Sequence, residues 1–466
     1  MKKCNSRTKP ALHDELSIVN EIKEIEVTTH RKEAGSPESI STDTFSNVAS
    51  NDEADIIVVG AGVLGAAFAA VMARDGRKVM VVEKDMKEPD QFAGEVMQPG
   101  GFQMLKELGL ADSMEGFDAS PFTGYHMYDL DNKDNMHLHF PLGENKKVKE
   151  GRSFFHGRFA VGLRKLAMAE PKVRFIEGTV TRLLEEEGYV TGVLYKEKET
   201  GNNKTPPEWK TTKMTILTYE TILVFFYQVS STETRILINF IGQPPRNLKD
   251  YIMENIYPRT PEVLKDPLLT ALQNEHLKII PARYLPAVAV NKPGVLILGE
   301  AYNIRHPFTG GGMSVILNDI KIWRELLQDI PDLYDNEKIF QAKQKFYWLR
   351  KKSCSFVVNT LAEVLHRLFT ASDETQLLVR KALFCYCNLS EQHALGPVLL
   401  TTVLAPKPLA LIKTLSTVIL YAMYLSIKSE LWYAKPRGLC KSTVVLYNSL
   451  AALIPLIYSE IKQHNN

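Results

Sequence analysis

Cysteine is scarce in this sequence, and its few cysteines are scattered. Among 466 residues there are five, Cys4, Cys354, Cys385, Cys387 and Cys440, an odd number without a pairing pattern. Such a set argues against a disulfide framework and favours a reducing compartment. Cys385 and Cys387 form a C-x-C pair, but there is no second cysteine pair or neighbouring histidine to complete a zinc site. We therefore interpret these two cysteines as helix residues and predict no metal.

An excess of charge of one sign is also lacking. The chain has 56 basic and 54 acidic residues and a formal net charge of +2, so no broad attraction to nucleic acid is expected. Residues 1–53 contain few apolar side chains and lack the apolar core of a signal peptide. Because such a segment cannot offset its ordering entropy, we predict that it is disordered. The rest of the chain is long enough to bury a substantial core and exceeds one small domain.

Glycine, by contrast, is concentrated at functionally informative places. Residues 55–59 have the composition of a buried strand, and Gly60, Gly62 and Gly65 then open an apolar helix. This spacing is typical of a dinucleotide-binding turn, where glycines allow a tight turn and a close approach to pyrophosphate. Glu83 ends the next apolar strand, at the distance where a carboxylate meets a ribose hydroxyl. The order predicts a nucleotide-binding βαβ unit; the alternative is a glycine-rich turn in an ordinary α/β domain.

A second glycine-rich stretch lies more than two hundred residues downstream. Residues 299–312 read GEAYNIRHPFTGGG and follow an apolar run, residues 294–298, that we predict to be a strand. Two separated signatures favour FAD over NAD, because a long flavin can be held at its adenine end by one and near its ring by the other. Between them, residues 228–240 have the pattern of a β-segment. His137 and His139 are spaced to share a strand face, but with no third ligand nearby they do not indicate a metal site.

Four long motifs resemble one enzyme family. They are GAGVLGAAFAAVMARDGRKVMVVEKD, GEVMQPGGFQMLKELGL, GEAYNIRHPFTGGGM and IPDLYDNEKIFQAKQKFYWLRKKSCSFVVN. Together they closely resemble squalene epoxidase (squalene monooxygenase) in its animal form, from about Asp55 to the C-terminus with one gap. The resemblance implies an α/β fold. It would contain a Rossmann-like FAD-binding domain of the flavin monooxygenase type, an interrupted β-rich substrate domain and C-terminal membrane-associated helices.

The resemblance also implies a domain organisation. The predicted regions are a disordered polar segment (1–53), the first part of the FAD-binding domain (54–180), a substrate domain shortened near residue 218 (181–290), the late flavin-contact segment of the FAD-binding domain (291–330) and a helical C-terminal region (331–466).

Two apolar runs in that last region, residues 409–427 and 443–458, approach the length of about 20 residues that a spanning helix needs. Joined by the basic segment 435–441, they predict a membrane hairpin, or helices partly immersed with Trp432 and Tyr433 at the headgroup level. A buried pair of core helices is the alternative. The family resemblance implies monotopic or hairpin attachment to the cytosolic face of the endoplasmic reticulum membrane.

Family positions can be carried over to this chain residue by residue. Gln98 and Tyr125 match catalytic positions beside the isoalloxazine, where a glutamine–tyrosine hydrogen bond sets the orientation of the site; ordinary packing is the alternative. Arg305 and His306 are expected to position the loop or the flavin, since an apolar alkene needs no acid or base. The implied FAD-binding residues are Gly60, Ala61, Gly62, Gly65, Glu83, Lys84, Arg164, Val180, Glu300, Gly310, Gly311, Gly312 and Met313.

The sequence departs from the family pattern at several of these places. Glu300 replaces the usual aspartate, and Lys84 and Gln91 replace arginines. The strand ending in Ala-Asp-Gly, which would hold the flavin pyrophosphate, is missing near Thr218; the only Asp-Gly dipeptide is at residues 75–76. An isoform, an error in the gene model and a decayed copy would each explain the gap.

The predicted function is FAD-dependent epoxidation of squalene to (S)-2,3-epoxysqualene in sterol biosynthesis. The implied partners are O₂, a separate NADPH-dependent cytochrome reductase as electron donor and membrane lipid, with no nucleic acid. A non-catalytic, membrane-associated remnant of the family and a related flavin-dependent isoprenoid reductase are the alternative interpretations.

Overall fold

The structure is a computed structural model, and it describes most of the chain from residue 54 onwards. The described residues are 24–28, 54–91, 93–197, 214–219, 222–231, 233–240, 242, 245–274, 277–371 and 373–462.

Strands dominate the first half of the described chain and helices the second. Within the described residues the strands are β1 Glu24–Thr28, β2 Ile56–Val59, β3 Val79–Glu83, β4 Val96–Met97, β5 Ser120–Phe122, β6 Gly124–Asp129, β7 Asp134–His139, β8 Gly151–Ser153, β9 Val173–Glu186, β10 Tyr189–Glu197, β11 Met214–Tyr219, β12 Ile222–Gln228 and β13 Thr234–Asn239. The helices are α1 Val63–Arg74, α2 Pro99–Glu107, α3 His156–Met168, α4 Leu248–Asn255, α5 Glu262–Asn274, α6 Gly312–Gln328, α7 Asn336–Arg350, α8 Phe356–Phe369, α9 Glu374–Cys387, α10 Glu391–Thr401, α11 Pro408–Lys428 and α12 Lys435–Ile461.

The first sheet has the order β1-β10-β9-β3-β2 and contains the predicted nucleotide-binding unit. β2, β3 and β9 are parallel, and α1 packs against them with its Ala66–Ala73 face almost wholly buried. Strand, glycine turn, helix, strand and acid therefore follow one another as predicted. β1 pairs antiparallel with β10, so the prediction of disorder over residues 1–53 is wrong for Glu24–Thr28. The edge of β10 supplies hydrogen bonds that composition cannot reveal; the rest of that segment lies outside the described residues.

β2 is the last strand of this sheet among the described residues, and the exposed fraction of Val59 is 57%. The strand predicted over residues 294–298 does not form. Its start is held by the β9–β10 hairpin, since the Val190 N–H donates to the Pro293 carbonyl at 3.3 Å. Its end lies beside α1, where a Cβ at Gly299 would be 3.6 Å from the Leu64 side chain. The run is thus anchored at both ends without joining a ladder.

The second sheet has the order β13-β12-β11-β6-β7, so strands from residues 124–139 join strands from residues 214–239. The β-segment predicted over residues 228–240 is the end of β12 followed by β13. A turn separates them, closed by the Val229 N–H donating to the Glu233 carbonyl at 2.9 Å. α9 is tied to this sheet by a fully buried ion pair, in which Arg380 Nε lies 2.9 Å from an Asp129 oxygen.

The C-terminal helices end in the hairpin of α11 and α12. Both are long and apolar enough to cross a membrane, and only 28% and 11% of their most apolar windows are buried. This exposure disfavours the buried-core alternative and fits membrane association. The basic segment 435–441 was predicted to connect the two helices. This prediction is wrong, because the segment forms the first turns of α12. Lys435 Nζ donates to the Ile427 carbonyl at 2.8 Å, so the first residue of α12 is tied to the last turn of α11.

Candidate active site

The glycine turn after β2 is built for a close approach by a ligand. Gly60 has φ +95°, a conformation that favours glycine. A Cβ at Gly65 would lie 1.9 Å from the Gly60 carbonyl oxygen, so only glycine lets α1 pack on the turn. A Cβ at Gly62 would meet nothing within 4 Å. The space beside Gly62 therefore stays open, as a phosphate seated on this helix N-terminus requires.

Two charged side chains hold this turn from behind. A Glu83 carboxylate oxygen accepts a hydrogen bond from the Ala61 N–H at 2.5 Å. Arg164 is 4% exposed and donates from Nε to the Ala61 carbonyl at 2.8 Å, with its guanidinium 3.7 Å from the Glu83 carboxylate. The structure brings these three predicted residues together. Lys84, by contrast, is exposed at the end of β3.

The late glycine-rich loop lies across the same end of the fold. Gly310 has φ +58°, and a Cβ at Gly311 would be 2.7 Å from a methyl group of Val358 on α8. α6 begins at Gly312, so free N–H groups of a long helix end at this loop. Glu300 is exposed in a short helical turn earlier in the loop, whereas Met313 is buried in the first turn of α6.

The predicted glutamine–tyrosine pair is formed. The Tyr125 hydroxyl donates to Gln98 Oε1 at 2.5 Å, and Gln98 Nε2 donates to the Thr309 carbonyl at 2.6 Å. Gln98 is 2% and Tyr125 6% exposed. Burial raises the pKa of Tyr125 above its ordinary value of 10.0, so the hydroxyl stays protonated at neutral pH. The pair thus links β6, the start of α2 and the late loop by directed hydrogen bonds.

An ion pair made by a buried carboxylate, close to Gln98 in sequence, escaped the sequence analysis. Arg235 on β13 donates from Nε and Nη2 to the two Glu95 oxygens at 2.9 and 2.8 Å, and the Tyr227 hydroxyl donates to Glu95 at 3.0 Å. Burial raises the pKa of Glu95, which is 2% exposed. The signal was the single acid in the motif GEVMQPGG. Its basic partner lies about 140 residues away in sequence, so only the fold could identify it.

Arg305 and His306 belong to the late loop, and their side chains fix its shape. The His306 ring stacks on His366 with 3.8 Å between centroids, and His306 Nδ1 accepts from the Phe308 N–H at 3.2 Å. Burial, together with the neighbouring His366, lowers the pKa of His306 to about 4. The Arg305 guanidinium donates to the Gly312 carbonyl at 3.3 Å. These contacts agree with the predicted positioning role.

One cavity of about 3620 Å³ unites the two glycine-rich loops. Its far wall is apolar and comes from α8, α11 and α12, including Leu361, Leu415 and Leu453. The predicted residues that line this cavity are Gly60, Gly62, Gly65, Gln98, Tyr125, Val180, Glu300, Gly310, Gly312 and Met313.

These features fit an elongated dinucleotide with a flat ring. Open space at Gly62 on a helix N-terminus suits a phosphate, and the Glu83 carboxylate ends the strand that follows the turn. The second glycine loop and the N-terminus of α6 provide a backbone surface at the Gln98–Tyr125 end. The open edge of β2 is the one part of this site that lacks a neighbouring strand among the described residues.

Comparison with known proteins gives the class first. The structure resembles a flavoprotein/dehydrogenase from Cytophaga hutchinsonii with a TM-score of 0.59 at 14% identity, over 80% of this chain and 99% of that one. A family model described as FAD binding domain matches residues 53–205. The fold is therefore that of an FAD-binding flavoprotein of the flavin monooxygenase type.

The family follows from closer relatives. A family model described as squalene epoxidase matches residues 202–440. The chain is 46% identical to squalene monooxygenase of Mus musculus, over 93% of this chain and 82% of the relative, and 44% identical to that of Rattus norvegicus, over 94% and 84%. The chain belongs to the squalene epoxidase family. The mouse alignment spans 472 positions, more than this chain contains, so the mouse protein has residues with no counterpart here.

Proposed function

We propose that this chain is an FAD-dependent squalene monooxygenase that converts squalene to (S)-2,3-epoxysqualene in sterol biosynthesis. The observation that carries the proposal is the single cavity that leads from the glycine turn, past Gln98 and Tyr125, to an apolar wall of C-terminal helices. A long hydrocarbon needs such a wall along its length and a reactive group at one end. Family membership supplies the reaction type.

The protein's contribution is to bind, orient and exclude water. Gly60, Gly62 and Glu83 would hold the adenine end of FAD, and the loop at Gly310–Gly312 would hold the ring end. FAD, when bound and reduced, supplies the activation of O₂. One oxygen atom enters the epoxide and the other leaves as water, with two electrons derived from NADPH. The apolar wall keeps bulk water from the reacting end of the alkene.

Gln98 and Tyr125 orient the site without transferring a proton. The Tyr125 proton is committed to Gln98 Oε1, and burial opposes its loss because the raised pKa lies far above neutral pH. Gln98 in turn fixes the Thr309 carbonyl, which precedes the three glycines. We infer that the pair sets the height of the late loop over the reacting centre.

The exposed hairpin suits a substrate dissolved in lipid. The exposed fractions of Trp432 and Tyr433 in its turn are 83% and 65%, as expected of side chains at a headgroup level. We infer attachment to the cytosolic face of the endoplasmic reticulum membrane, with squalene entering between the hairpin and the catalytic domain. A separate NADPH-dependent cytochrome reductase would be the electron donor.

The test is reconstitution of the full chain in detergent with squalene, NADPH and the reductase. Formation of epoxysqualene is followed by chromatography, with Gly62→Val, which fills the phosphate space, as the control. Product from the unchanged chain, and none from the control, supports the proposal. No product from a preparation that carries bound flavin contradicts it.

One observation favours a second candidate, a non-catalytic membrane-associated member of the family. Among the described residues β2 ends the first sheet with its edge open to the cavity, and the Ala-Asp-Gly strand of the family is missing from the sequence near Thr218. A pyrophosphate wall would be incomplete at this edge. Visible flavin absorbance of the purified chain separates the two candidates, since this alternative expects a colourless protein.

A further inference from the structure

The second hairpin helix ends against the catalytic domain with one buried charged residue. Glu460, near the end of α12, is only 5% exposed. Its carboxylate accepts from Asn359 Nδ2 at 3.3 and 3.4 Å and from the Tyr284 hydroxyl at 3.3 Å, and its backbone carbonyl accepts from Lys351 Nζ. A buried carboxylate is costly without partners. This cluster of partners therefore fixes the end of an otherwise apolar helix.

Asn359 shares its amide between Glu460 and the late loop. The same Nδ2 lies 3.2 Å from Asn303 Oδ1. That oxygen also accepts from Arg305 Nη2 at 2.7 Å and from Arg350 Nη2 at 3.0 Å. Asn303 is 2% exposed, so it acts as a buried junction between α7, α8 and the loop.

The connection reaches the glycines that open α6. Arg305 donates from Nη1 to the Gly312 carbonyl at 3.3 Å and from Nη2 to Asn303. A continuous series of hydrogen bonds thus runs from the hairpin through α8 to the start of α6. Within the described residues the cluster brings together the cations Arg305, Arg350 and Lys351 and the anions Asp319 and Glu460.

Glu460 and Asp319 are the two anions that offset these cations among the described residues. Removing Glu460 would leave Asp319 alone, already paired with Arg350 at 2.8 Å. The guanidinium of Arg305 would then be stabilised less, and burial already lowers its pKa to about 10. This loss of stabilisation affects the late loop, because Arg305 is one of its residues.

We propose that Glu460 is a positioning residue through which the membrane hairpin holds the flavin-binding loop at residues 303–313 in its binding conformation. The route is Glu460 to Asn359, Asn303 and Arg305. The inference rests on the proposed function only in assigning the loop to FAD. Loss of the hairpin's grip is expected to loosen the loop even without the cofactor.

The test uses the full chain in detergent, with the variants Glu460→Ala, Glu460→Gln and Asn359→Ala and the double variant of the two alanines. Glu430→Ala is the matched control, because Glu430 lies at the other end of the hairpin, paired with Lys441 at 2.6 Å. Amide hydrogen exchange of peptides covering residues 303–313 is measured without FAD. FAD affinity is measured by quenching of flavin fluorescence.

Glu460→Ala should speed exchange of the loop and weaken FAD binding by about ten- to a hundredfold, the loss typical of a hydrogen bond to a buried charge. Glu460→Gln keeps an acceptor for Asn359 but removes the negative charge, so it should recover only the part of this loss that comes from the hydrogen bond. Glu430→Ala should match the unchanged chain. The double variant should bind FAD no more weakly than the poorer single variant, because the two substitutions interrupt the same connection.

Exchange of the loop unaffected by Glu460→Ala would overturn the inference, and so would multiplicative effects of the two single variants. If Glu460→Ala does not fold, Glu460→Gln and Asn359→Ala carry the same comparison. A chain that never binds FAD refutes the proposed function, while the exchange measurement still decides on the coupling.

Discussion

Two glycines three residues apart should fail in opposite ways when each is replaced by alanine. A Cβ at Gly62 meets nothing within 4 Å, and its φ of −70° suits any residue. A Cβ at Gly65 would lie 1.9 Å from the Gly60 carbonyl oxygen and 3.1 Å from a Val58 methyl group. The first substitution fills space expected for the cofactor, whereas the second collides with the protein itself.

The expected magnitudes differ accordingly. Gly62→Ala should leave the free energy of unfolding unchanged or raise it by about 0.4–1 kcal/mol, because it restricts the unfolded chain. Its FAD affinity should fall by roughly a hundredfold, the equivalent of about 2.8 kcal/mol. Gly65→Ala forces the backbone apart and should lower the free energy of unfolding by about 1–3 kcal/mol or more.

The assay combines chemical unfolding without added FAD and fluorescence titration with FAD, for the unchanged chain and both variants. Gly62→Ala that binds FAD as tightly as the unchanged chain would show that the phosphate does not sit at this turn. Gly65→Ala with unaltered unfolding would contradict the packing of α1 on the turn.

Three further outcomes are expected. Tyr125→Phe leaves buried Gln98 Oε1 without its donor, so the free energy of unfolding should fall by about 1–3 kcal/mol and epoxidation should decrease. No change in either measurement would show that the Gln98–Tyr125 pair does not contribute to the site. Replacing both Trp432 and Tyr433 by alanine should lower partitioning into liposomes by roughly tenfold per side chain, and unchanged co-sedimentation would place the hairpin turn away from the membrane. The pKa of His306 is about 4 in the folded state and 6.5 ordinarily, so the folded state binds this proton at a lower pH than the unfolded state does. The free energy of unfolding therefore falls as pH drops from 6.5 to 4. The fall, at most about 3 kcal/mol after allowance for partial exposure, should shrink in His306→Gln when thermal unfolding is followed across this range.

The order of elements around the first glycine turn was determined by local sequence. Strand, glycines, apolar helix and terminal acid each leave a short-range pattern, because turn geometry and packing period depend on neighbouring residues. The length and composition of the apolar C-terminal runs were likewise sufficient to predict two long helices. The pairing of Gln98 with Tyr125 came from resemblance, and their 2.5 Å hydrogen bond agrees with it.

Other features depended on partners distant in sequence. The 294–298 run has strand composition, yet contacts with the β9–β10 hairpin and α1 leave it outside a sheet. Glu24–Thr28 forms a strand only because the edge of β10 is available. Basic residues 435–441 were predicted to connect the two apolar helices, but the turn lies before them and α12 already begins at Lys435.

The charged clusters show the same limit most clearly. Glu95 meets Arg235 across 140 positions, and Glu460 meets Asn359 across 101. A single buried charge gives little local signal, because its cost is offset by a partner that the chain brings back from elsewhere. The sequence determined which segments could bind a dinucleotide and which could enter a membrane. Only the tertiary structure decided that the end of the hairpin and the late glycine-rich loop share one buried network, because that contact is made by packing rather than by pattern.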